Sequence, residues 1–98
     1  MWSKLLGTRE AEAFARELAA SLIDDLGDAA GKPGPKFRHK AERALARAAT
    51  RIDQFKTSHR LNWLQRSRSA NAFLWTLKDR QCPSRYADEL TEWFVLRV

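Results

Sequence analysis

The sequence predicts an all-α protein, a compact bundle of about four helices, and three observations carry that expectation. Apolar residues recur at three- and four-residue steps in four stretches of the chain. Glycine and proline gather at a few points between those stretches instead of being spread along the chain. No run of alternating polar and apolar residues competes as a strand, and no heptad pattern is sustained over three periods. Ninety-eight residues make one domain, spanning 1–98. The composition, 44% hydrophobic and 31% charged, is that of a folded chain and not of a disordered one.

The first helix is expected from about Arg9 to Leu26. Thr8 is placed to cap it, and Glu10 and Glu12 suit the positive end of the helix dipole. Ala11, Phe14, Leu18, Leu22 and Leu26 form its apolar stripe. A Gly/Pro loop follows at 27–35, with Gly27 ending the helix. The second helix is expected from Lys36 to about Lys56. Phe37, Ala41, Leu45, Ala48, Ile52 and Phe55 share one arc of its surface. A third helix is read from His59 to Asp79, bent near Ser67; if it merges with its neighbour, the bundle has three helices. Pro33 and Pro35 lie in the loop, and Pro83 disfavours a helical residue before it. Ser84 is then read as the cap of a last helix carrying Tyr86, Leu90, Trp93, Phe94 and Leu96.

Charge is distributed unevenly. The formal net charge is +6. Residues 1–31 hold three basic and six acidic side chains, residues 32–68 eleven basic and two acidic, and residues 69–98 four of each. The excess therefore sits in the middle third. Lys36, Lys40, Arg43, Arg47 and Arg51 make a basic stripe on the second helix, with Arg66 and Arg68 further on. Lysine and arginine bind phosphates by releasing counterions, so these seven residues are the candidate nucleic-acid contacts. The competing reading is a solvated face that neutralises the acidic first helix, with Asp24 and Asp25 among its partners. No helix-turn-helix spacing, zinc-finger ligand set or RNA-recognition peptide supports nucleic acid further.

Site chemistry is sparse. His39 and His59 are the only histidines, and Cys82 is the single cysteine. Metal sites need three or four convergent ligands, so no metal or cofactor is expected. No phosphate-binding glycine loop ends in Gly-Lys-Ser/Thr, and no enzymatic activity is expected. A lone cysteine suits a reducing compartment, and no stretch is long and apolar enough to span a bilayer, so the expected location is the cytoplasm. Trp63 and Trp75 lie among leucines and phenylalanines and are expected to pack in the core. The last helix is apolar on nearly every side, and such a helix is buried in a core or in an interface. Trp93, Phe94 and Leu96 are therefore the candidate protein interface, with Trp2, Leu5 and Leu6 at the other terminus as possible contributors. The leading functional expectation is a small non-enzymatic interaction or regulatory domain that binds a protein partner or itself. The alternative is a nucleic-acid-binding module acting through residues 36–68.

Overall fold

Four helices follow one another: α1 (Trp2–Leu26), α2 (Pro35–Ser58), α3 (Trp63–Asp79) and α4 (Ser84–Arg97). The computed structural model describes residues 2–26 and 35–98, with side chains for 8–26 and 38–98. The loop expected at 27–35 falls outside the described residues, except for Pro35. That proline opens α2, where its missing amide hydrogen costs nothing because the first helical amides have no intrahelical acceptor.

Helix α1 starts at Trp2, well before Arg9, so Thr8 is a residue within the helix and not its cap. Nothing between Trp2 and Thr8 lacks an amide hydrogen, and threonine is tolerated inside a helix although it favours caps. Helix α2 continues to Ser58, and His59, where the third helix was expected to begin, lies between the helices. The true start of α3 is set by Asn62. Its side chain accepts from the Gln65 amide while the Gln65 side chain accepts from the Asn62 amide, both at 2.9 Å. This reciprocal capping box satisfies two amides that would otherwise lack partners. Helix α3 then runs unbroken through Ser67.

The end of α3 is a complete Schellman motif. The Cys82 amide donates to the Leu77 carbonyl at 2.9 Å and the Gln81 amide to the Lys78 carbonyl at 3.0 Å. Gln81 takes the left-handed conformation this requires, with φ of 63°. Cys82 and Leu77 both join the core, which supplies the apolar contact that accompanies the motif. Pro83, not Ser84, occupies the cap position of α4, and no side chain caps that helix. Ser84 is its first helical residue.

The helices run up, down, up, down. Helix α1 packs most extensively on α3, while α2 lies against α1 and α4 against α3. Helices α2 and α4 also meet: the Lys56 ammonium donates to the Arg97 carbonyl at 3.0 Å, and Ala41, Leu45, Tyr86 and Leu90 line one cavity, so the parallel pair α1 and α3 forms one side of the bundle and α2 and α4 the opposite side. Small side chains permit this approach. Ala11, Ala15 and Ala19 of α1 are fully buried, as is Ser69 of α3, whose hydroxyl donates to the Arg66 carbonyl at 2.8 Å. Larger groups fill the space between the helices: Leu18, Leu22, Ile52, Phe73, Leu77 and Phe94. The Phe73 and Phe94 rings stack at 4.5 Å, joining α3 to α4. A second stack, Phe14 on Phe55 and Phe55 on His59, each at 4.2 Å, joins α1 to α2. No helix among the described residues is long and apolar enough to cross a membrane.

Candidate interaction face

The helix order fixes which side chains share a groove, and it divides the basic residues singled out in the sequence. Arg47 and Arg51 face the groove between α1 and α2. Arg47 pairs with Asp25 at 3.2 Å, and Arg51 donates to the Ser21 hydroxyl at 2.9 Å. Asp24, next to Asp25, pairs with Arg80 instead. Lys40 and Arg43, nearer the start of α2, are exposed and make no ion pair among the described residues. The Lys36 side chain lies outside the described residues. Arg68 lines a different groove, between α1 and α3, beside Glu12, Arg16 and Trp75. Arg66 lines a third, between α3 and α4. Among the candidates with described side chains, Arg47 and Arg51, Arg66, and Arg68 thus line three different grooves.

The two remaining tryptophans of α3 depart from expectation. Trp63 is 77% exposed and Trp75 is 60% exposed, so neither packs in the core. The reason is angular. Gln65, Ser69, Phe73 and Leu77 define the buried side of α3 at four-residue steps. Trp75 stands two residues from both Phe73 and Leu77, which places it about 200° round a 3.6-residue helix. That angle follows from sequence position alone once the buried side of α3 is known.

The candidate interface residues of α4 divide as well. Phe94 is wholly buried against Phe73 and is a core residue, which removes it from any surface. Trp93 is half-buried, with the Arg97 guanidinium 5.1 Å from its ring centre. Leu96 is 81% exposed. Trp2, Leu5 and Leu6 lie outside the residues with described side chains.

Exposed apolar groups gather where the start of α3 meets the end of α4. Trp63, Ala70, Val95 and Val98 line a groove of about 300 Å³ there, with Ser67 and Arg66 at its edge. Leu64 and Leu96 project from the same two helix ends. Nothing in the sequence reading paired Trp63 with Val95 or Val98, because the pairing depends on α3 and α4 running antiparallel.

His59 Nε2 lies 2.6 Å from a Glu10 carboxylate oxygen, and Nδ1 lies 3.2 Å from the Phe55 carbonyl oxygen, a clasp between α1 and the end of α2. Cys82 is buried, and burial pushes its thiol above the ordinary range. Such a thiol is a poor nucleophile at neutral pH because little of it is thiolate. Among the described residues no three His, Cys, Asp or Glu side chains converge as a metal site would require. No family model, curated protein or solved structure matches this chain.

Proposed function

We propose that this chain is a small non-enzymatic helical interaction domain that binds a protein partner across the α3–α4 face. The observation that carries the reading is the exposure of Trp63 and Leu96 around an apolar groove. Large apolar side chains clustered at a surface mark interaction sites, and tryptophan and arginine are the residues most enriched among binding hot spots. A cytoplasmic setting belongs to the same reading, since Cys82 is free and buried.

The test is a photoreactive amino acid placed at Leu96 in the protein expressed in its own cells. An exposed position on α2, Arg38, serves as control. The reading requires discrete protein adducts from position 96 that are absent from position 38 and lost with Trp63→Ser. No adduct, or equal labelling from both positions, would sink it.

Nucleic-acid binding is the second reading, and one arrangement favours it. Trp75 is exposed beside Arg68 and Asn71, and an exposed ring next to arginine can stack an unpaired base. Anisotropy of a labelled single strand at about 50 and 200 mM salt decides this, because phosphate binding weakens steeply over that range. Binding lost with Trp75→Ala would move this reading to first place.

A further inference from the structure

We infer that the α3–α4 face pairs with the same face of a second copy of this chain, through a two-fold axis near Ala70 and Val95. The inference rests on the reading of this face as a protein-binding surface and names the partner.

The face carries free charge of both signs, Arg66 in the groove and Glu92 outside its lining, further out on α4. Arg66 lines the groove, one helical turn before Ala70 on α3. Glu92 is exposed about one turn before Val95 on α4. Among the described residues neither side chain makes an ion pair. Helices α3 and α4 are joined by residues 80–83 and pack antiparallel, so these two turns run in opposite directions from the Ala70–Val95 level. The basic group therefore lies on one side of that level and the acidic group on the other.

Such a face is complementary to itself. A two-fold axis through its centre brings Arg66 of each copy to Glu92 of the other, which is the isologous contact most homodimers use. The same rotation covers Trp63 and Val95 with apolar surface from the second copy. A polyanion or an acidic segment would match Arg66 but be repelled by Glu92, and a basic segment would suffer the reverse. A second copy satisfies both.

Sedimentation equilibrium of the full chain tests this, with melting curves confirming that each variant folds. Monomer and dimer should exchange with a dissociation constant on the order of 10–100 μM, the weak end for interfaces of standard size. Arg66→Glu and Glu92→Arg should each weaken the dimer about tenfold or more, since like charges then face each other twice. The decisive arm mixes the two variants. An equimolar mixture of R66E and E92R restores opposite charges at both contacts and should dimerise within about threefold of the parent. Trp63→Ser should abolish pairing. A chain that stays monomeric at about 500 μM, or a dimer that ignores the charge reversals and their mixing, would overturn the inference. If the chain is monomeric yet cross-links from position 96 to a different protein, self-pairing fails and the wider reading stands. If both measurements are negative, both fail.

Discussion

At the scale of single residues, the aromatic side chains divide by the direction each faces, not by type. Phe73 and Phe94 are enclosed and stacked on each other. Trp63, larger than either, stands in water. Removing a buried phenylalanine loses its transfer energy and leaves a cavity, so Phe94→Ala should cost about 3–5 kcal/mol of stability. Trp63→Ser should change stability by no more than about 0.5 kcal/mol, because little burial is lost. Urea denaturation of the two variants checks the contrast, and equal costs would place Trp63 in the core after all. Cys82 gives a second expectation at this scale. Its folded-state thiol is pushed up by burial, so the folded protein holds that proton to a higher pH than the unfolded chain does. The resulting stabilisation is complete below the unfolded thiol range, about pH 8.5, and is lost as pH rises from there through the raised folded-state value. The urea midpoint should thus fall more steeply between about pH 8 and 10 in the parent than in Cys82→Ala.

At the scale of helices, ends were harder to read than faces. The apolar stripe of α1 was evident in the sequence, and Leu18, Leu22 and Leu26 are buried as it implied. Its start was not, because Thr8 has the chemistry of a cap wherever it stands. Asn62 and Gln65 carried a capping box in plain view, inside the third helix expected to begin at His59. Gln81 carried no signal at all: the left-handed position at the end of α3 favours glycine, and glutamine fills it here. Relief of that conformation predicts that Gln81→Gly raises stability by about 1 kcal/mol, offset in part by the greater freedom of glycine in the unfolded chain. A drop in melting temperature would show that the Gln81 side chain has an anchoring role.

At the scale of the whole molecule, the close contact between α1 and α3 organises the rest. The buried alanines of α1 let the two helices approach, and the grooves on the remaining sides take their residues from that arrangement. Ala15→Leu should therefore be costly, about 1–3 kcal/mol or more from overpacking, while the same change at exposed Ala46 should be nearly neutral. If Ala15→Leu melted like the parent, the close contact would be wrong. The basic stripe shows the same dependence on tertiary arrangement. Arg47 is turned to Asp25 and Arg51 to Ser21, so part of the stripe serves the seam between α1 and α2. Exposed pairs of this kind contribute at most about 1 kcal/mol each. Their effect is chiefly to remove Arg47 and Arg51 from the pool of free phosphate contacts.

The sequence by itself determined that this chain is helical, and it determined which face of α1 and α2 is apolar. Both follow from spacing along a 3.6-residue turn, which is a local property. Only the tertiary structure decided that Trp63 and Val98 share a groove, that Phe94 is core while Leu96 is surface, and that Arg47, Arg66 and Arg68 lie on three different sides. Those outcomes depend on which helices are neighbours and which run antiparallel. Packing of small side chains far apart in sequence sets that choice, and periodicity within one helix carries no record of it.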